Sequence, residues 1–279
     1  MSLPARPRLR RGIALALAAA ALLAVGSGAQ AVTNGLPDSI AAIGDSITQA
    51  ANADLLHLGG SNPGESWSTG YDPLDGVTSH YERLVARNPA VADHTFNDAV
   101  SGAKMEDAPA QATAAVQQRA EYVTVLMGAN DVCAPSKDAM TSVTAYEASF
   151  RQTMTTLATG LPSARILVVS IPDVYRLWET LKGNVVARLV WGWFRICPSM
   201  LSETNTEADR QFVRARNIDF NHVLRAVCGE YAQCRYDDDR VFNYRFTPSE
   251  VSGVDYFHPS LAGQRTLAEL TWSSGFWPS

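Results

Sequence analysis

Short apolar runs bounded by turn residues alternate along this chain with longer amphipathic stretches, and that alternation restricts the fold more than any other feature. Ser39–Ile43, Thr95–Val100, Tyr122–Met127 and Arg165–Ile171 are compact and rich in Val, Ile, Ala or Leu, as strands buried on both faces are. Val241–Tyr244 is a weaker fifth candidate. His80–Arg87, Tyr146–Ala158 and Glu203–Val227 carry apolar residues at helical spacing, and Pro259 can open a last helix through Leu270. Strand and helix in turn predict a parallel sheet covered on both faces. Such a sheet binds its ligand outside the carboxyl ends of the strands. Ser46, Gly102 and Asn130 each follow just after one of the expected strands, so a shared site is expected there.

Two stretches interrupt the alternation. Leu55 to Tyr71 is a Gly-, Asn- and Ser-rich loop holding Trp67, and Tyr175 to Met200 is unusually aromatic, with Trp178, Trp191, Trp193 and Phe194. There is no internal repeat or low-complexity tract, and 46% of the chain is hydrophobic. One domain over residues 32–279, with 175–200 as an insertion, is therefore expected.

Residues 1–31 read as a secretory leader. Arg6, Arg8, Arg10 and Arg11 form a basic head, an apolar stretch runs from Gly12 to Val25, and Ala29-Gln30-Ala31 fits a small-x-small cleavage site. The apolar stretch falls short of the roughly 20 residues of a membrane span, so no stable membrane insertion is expected. Export would leave a secreted, extracellular protein beginning at Val32. Loss of the four leader arginines takes the formal net charge from −5 to −9. An acidic surface of that size disfavours nucleic acid and anionic membrane as standing partners. A monomer is expected.

In an exported chain, Cys133, Cys197, Cys228 and Cys234 suggest two disulfides. Cys228 and Cys234 are close enough for a local bridge, which leaves Cys133 to Cys197. A zinc site would need Cys-x-x-Cys or histidine spacing, which these cysteines lack. Asp237-Asp238-Asp239 lacks the glycine of a calcium loop and reads as a solvated acidic turn. No metal or organic cofactor is expected.

The chemistry sits in four polar clusters. Gly44-Asp45-Ser46 follows the first apolar run, and a serine there is either a helix cap or a nucleophile. Asp255-Tyr256-Phe257-His258 puts a carboxylate and an imidazole three residues apart, so Asp255 can reach the near nitrogen of His258 while the far nitrogen faces Ser46. In Asn97–Gly102, the glycine can let a backbone N–H approach a developing oxyanion, and in Gly128-Ala129-Asn130-Asp131 the asparagine amide is a neutral donor suited to the same charge. None of the four is decisive alone: Ser46 and Gly102 are more ordinarily turn or cap residues, Asn130 reads equally well as a turn residue, and a lone histidine is more often structural. The G-x-S-x-G elbow is absent, since Thr48 stands where its second glycine would be.

Together, and in this order, the four clusters resemble the signature blocks of the SGNH (GDSL-type) hydrolases over Ile40 to Trp272. That resemblance implies a three-layer α/β/α, flavodoxin-like fold. It implies Ser46 as nucleophile, His258 as base and Asp255 as its orienting partner. The oxyanion hole would be formed by the Ser46 and Gly102 backbone N–H groups and the Asn130 side chain. Ser66-Trp67-Ser68-Thr69-Gly70, Glu106 to Ala112, Gly128 to Cys133 and Asp255 to Ser260 are similar to the phospholipase B-like branch of secreted lipases and esterases. The expected activity is hydrolysis of a carboxylic ester, lipid or small molecule, through an acyl-enzyme. A carbohydrate O-acetylesterase is the alternative, and a non-catalytic binding protein on the same scaffold a further one. Trp67, Trp191 and Trp193 are candidates to line an acyl groove, and Val185 to Phe194 is either a buried helix or a partly exposed acyl-binding cover.

Overall fold

The computed structural model of the protein describes residues 1–2, 35–55 and 60–277. Thr33–Ser279 form one compact unit. The expected leader lies outside the described residues, save Met1 and Ser2.

Among the described residues five strands, β1 (Ile40–Gly44), β2 (Thr95–Asn97), β3 (Tyr122–Leu126), β4 (Arg165–Val168) and β5 (Cys234–Tyr236), pair in the order β2-β1-β3-β4-β5, all parallel. Ile40 stands beside both Thr95 and Tyr122, Tyr122 beside Arg165, and Ile166 beside Cys234. This is the flavodoxin-like order, in which the chain reverses its direction of travel across the sheet between β1 and β3. Every residue of β1 and β3 is buried, so both faces must be covered.

Helices supply that cover; those among the described residues are α1 (His80–Val85), α2 (Ala108–Gln118), α3 (Ala129–Val132), α4 (Val143–Gly160), α5 (Val174–Leu181), α6 (Val185–Phe194), α7 (Pro198–Leu201), α8 (Glu207–Cys228), α9 (Arg240–Asn243) and α10 (Leu261–Ser274). Right-handed crossovers put α2, α4 and α8 on one face, where Tyr146 of α4 stacks on Phe220 of α8 at 4.0 Å between centroids. On the other face the buried His80 of α1 bonds Tyr122 Oη at 2.9 Å and Thr271 Oγ1 of α10 at 2.8 Å. Trp67 and Trp272 stand edge-on to its ring. Ser79, Ser142, Thr206 and Ser260 cap α1, α4, α8 and α10, each cap contributing about 1 kcal/mol.

The sheet departs from expectation at its last strand. Val241–Tyr244 is not a strand, for Arg240–Asn243 is α9 and β5 lies earlier in the chain. The cause is Asp237, whose buried carboxylate takes hydrogen bonds from Ser170 N, Ser170 Oγ, Asp239 N and Val241 N. Asp238 and Asp239 then take left-handed conformations that turn the chain out of the sheet and start α9. The acidic run is thus only partly solvated: Asp237 is buried and Asp239 pairs with Arg225. Among the described residues no cluster could hold a metal ion, and no helix is long and apolar enough to cross a membrane. The disulfides are Cys133–Cys197 and Cys228–Cys234.

Candidate active site

Ser46 is delivered to the rim of the sheet by the way β1 ends. The buried amide of Gln111 on α2 clamps Gly44, accepting from its N–H at 2.8 Å and donating to its carbonyl at 3.0 Å. A Cβ at Gly44 would lie 2.3 Å from Thr48 Oγ1, so only glycine lets the following turn fold back this tightly. Asp45 turns inward, accepting from Ile47 N at 2.9 Å, and Ser46 faces the cleft.

His258 is carried by a self-closing turn. Ser252 N donates to His258 O and Tyr256 N to Ser252 O, with Tyr256 held in the left-handed region at φ 55°. Inside this turn Asp255 Oδ1 accepts from Phe257 N and His258 N at 2.9 and 3.0 Å. Asp255 Oδ2 accepts from Asn52 Nδ2 at 2.7 Å and stands 2.5 Å from His258 Nδ1. Burial would raise this carboxyl's pKa. The hydrogen bond and charge of His258, with the bonds from Asn52 and the His258 amide, outweigh that and hold it below the usual carboxylate value. An ionised Asp255 fixes the imidazole proton on Nδ1, which leaves Nε2 to accept from Ser46 Oγ at 2.7 Å.

Three donors face the same cleft. The backbone N–H groups of Ser46 and Gly102 bond no acceptor among the described residues. Gly102 sits at φ +85°, with nothing within 4 Å of where a Cβ would be, so its backbone is open to an approaching group. Asn130, in the first turn of α3, donates one amide proton to Ala103 O at 2.9 Å and keeps the second. Gly128 before it has φ +133°, and a Cβ there would meet Ile171 Cδ1 at 2.4 Å. The positions following β1, β2 and β3 thus converge beside the switch point of the sheet.

The cleft encloses about 520 Å³, within the range of small-molecule sites. Asn52, Ser61 and Ser101 form its polar side, while Phe257, Ile196 and the Cys133–Cys197 bridge form an apolar side. A second recess behind Phe257, lined by Ile47, Ala129 and Pro259, holds only about 70 Å³. The three candidate tryptophans fall elsewhere. Trp67 is fully buried beside His80, and its Nε1 is directed at Thr48 Oγ1. Trp191 is 2% exposed and donates from Nε1 to Tyr256 O at 3.0 Å, so it supports the histidine turn from beneath. Trp193 is 75% exposed on the outside of α6. None of the three lines the cleft.

Beneath the site lie two buried carboxyls. Burial pushes Asp45 up to about 6, countered in part by the Ile47 amide and the charge of His258, with a smaller push upward from Asp131. Burial likewise pushes Asp131 up to about 6 against the Met105 amide that bonds it at 2.9 Å. Sequence reasoning missed Asn52, Gln111 and the role of Trp191. Gln111 falls within the Glu106 to Ala112 block, yet nothing local marks it as the clamp on Gly44.

The parallel sheet defines an α/β protein, with hydrogen bonds linking Asp255, His258 and Ser46 at its carboxyl edge. The chain belongs to the GDSL-like Lipase/Acylhydrolase family, which matches residues 42–266. Its fold is similar to a protein described as a GDSL-like lipase from Parabacteroides merdae, at 16% identity over 85% of this chain and 95% of that one, with a TM-score of 0.51. Phospholipase A1 from Streptomyces albidoflavus superposes at 18% identity over 84% and 98% of the two chains, TM-score 0.47. A Clostridium thermocellum family 3 carbohydrate esterase does so at 13% identity over 85% and 94%, TM-score 0.45. No curated protein matches the chain by sequence.

Proposed function

We propose that the protein is a secreted serine esterase or lipase that cleaves carboxylic esters through an acyl-enzyme on Ser46. The observation that carries this reading is the continuous chain from Asp255 through His258 to Ser46, at 2.5 and 2.7 Å, opening on a cleft with unspent N–H donors. His258 Nε2 takes the Ser46 proton as Oγ attacks the ester carbonyl, and Asp255 steadies the imidazolium that forms. The oxyanion accepts from the Ser46 and Gly102 N–H groups and from Asn130 Nδ2. His258 then protonates the departing alcohol, and water, activated by the same nitrogen, releases the acid.

The apolar side of the cleft, Phe257 with Ile196 and the disulfide, favours an acyl chain longer than acetyl. The polar side, Asn52 with Ser61 and Ser101, supports the second reading, an O-acetylesterase acting on sugars. The two disulfides and the basic-then-apolar first residues support secretion.

Ser46→Ala and His258→Ala are each expected to lower kcat on p-nitrophenyl esters by about 10⁴-fold or more, and the double variant to be little worse, since such residues act as a unit. Labelling of Ser46 by a fluorophosphonate, abolished in Ser46→Ala, identifies the nucleophile. A His258→Ala enzyme within tenfold of wild type would remove the assignment. Rates on acetate through palmitate esters separate the two substrate readings, because turnover confined to acetate selects the acetylesterase.

A further inference from the structure

The outer face of α6 is apolar where a surface helix should be polar. Val185, Val186, Leu189, Trp193 and Phe194 are 46–75% exposed, while Ala187 and Trp191 form the buried face. A helix apolar on every side belongs in a core or against lipid. The one cation within it, Arg188, is tied back to Glu203 Oε1 at 2.7 Å and to Lys182 O at 2.6 Å, so it does not screen the patch. The helix is held rigidly on its inner side by the Trp191–Tyr256 hydrogen bond and, just past its end, by Cys197.

The patch runs directly into the catalytic cleft. Arg195 and Ile196, next in sequence after Phe194, line both the cleft around Ser46 and a neighbouring hollow of about 650 Å³ against α6. Arg195 is exposed and belongs to none of the ion pairs among the described residues. A second copy of the chain seated on α6 would crowd the mouth of the cleft at Arg195. A lipid surface seated there would instead present esters to Ser46, its phosphates would meet Arg195, and Trp193 and Phe194 would sit at the depth where aromatic rings favour an interface. The acidic chain, at a formal −5, opposes a strongly anionic surface, so a zwitterionic one fits best.

We propose that α6 docks the enzyme on a zwitterionic phospholipid surface, with Leu189, Trp193 and Phe194 inserted and Arg195 at the phosphates, which places the cleft mouth on the lipid. This rests on the esterase reading above but is tested apart from it, in a Ser46→Ala background that cannot hydrolyse the vesicles. Ser46→Ala protein should cosediment with large unilamellar phosphatidylcholine vesicles. Adding Leu189→Ser and Phe194→Ser should lower the partition coefficient by about tenfold or more, since apolar area drives such binding. The same two substitutions in a Ser46 enzyme should leave turnover of soluble p-nitrophenyl acetate at the wild-type level, which shows the fold intact. Ser46→Ala protein that stays in the supernatant overturns docking, as does undiminished binding of the substituted protein. A dimer in sedimentation equilibrium that the two substitutions split also overturns it, by assigning the face to a second copy. Failure of wild type to turn over p-nitrophenyl acetate overturns the esterase reading and leaves the vesicle result to stand by itself.

Discussion

Asn130 spends one amide proton on Ala103 O and keeps one for the cleft, so its geometry is fixed before any substrate arrives. A donor fixed in this way costs no reorganisation when charge develops on an ester oxygen. Asn130→Ala should therefore lower kcat by about 10²–10³-fold with little change in KM, measured on one p-nitrophenyl ester. A change in KM alone would make Asn130 a substrate-binding group instead. At this scale the sequence was legible where chemistry and spacing coincide. Asp255 and His258 are three residues apart, and one turn of chain suffices to join them. Asn52 was not legible, because the carboxylate it holds lies 203 residues on and an asparagine in a polar loop has many bland uses. Trp67, a candidate for an acyl groove, takes the commoner role of a tryptophan and fills the core against His80.

At the scale of elements, α6 touches the site through backbone support and not through its aromatic face. Trp191 donates to the carbonyl of Tyr256, the residue in left-handed conformation between Asp255 and His258. Trp191→Phe keeps most of the packing and deletes the donor. A loss of about 1 kcal/mol in stability is expected from the hydrogen bond alone, read as a lower urea midpoint. Because the freed carbonyl belongs to the histidine turn, kcat should fall as well, by about tenfold, as small misplacements of catalytic groups are costly. A stability loss with unchanged kcat would reduce Trp191 to a core residue. The elements that could be read from sequence were those with long periodic patterns, such as α4 and α8, or dense apolar runs, such as β1 and β3. β5 could not: Cys234–Tyr236 is three residues long, partly exposed and without an apolar run, and only its register beside Ile166–Val168 makes it a strand. α2 escaped for a related reason, since its Ala- and Gln-rich surface carries little contrast between faces.

Across the whole molecule, buried titratable groups set opposing responses to acid. His80 is enclosed by Tyr122, Thr271, Trp67 and Trp272, and burial, reinforced by Arg83, pulls it down to about 3. The unfolded chain takes up this proton near pH 6.5 and the folded one refuses it, so stability is lost as pH falls from about 6.5 toward 3. Asp45 and Asp131 act the other way. Their folded values of about 6 lie above the unfolded 3.8, so the folded state binds protons first, and stability is gained as pH falls through 6 toward 3.8. Asp255, held below 3.8, adds a loss that begins only under that value. With two protons taken up by the folded state against one by the unfolded, the wild-type urea midpoint should rise as pH drops from 6 to 4, with a fall below pH 4. Asp45→Asn keeps an acceptor for Ile47 N and removes one of the two stabilising protonations. Its midpoint should accordingly stay nearly flat as pH drops from 6 to 4, where Asp131 alone offsets His80, while at pH 7 to 8 the variant should match or exceed wild type, having shed a buried charge. A midpoint that falls equally in both proteins between pH 6 and 4 would mean that the site's carboxyls titrate as solvated groups, and that His80 alone governs the acid limb.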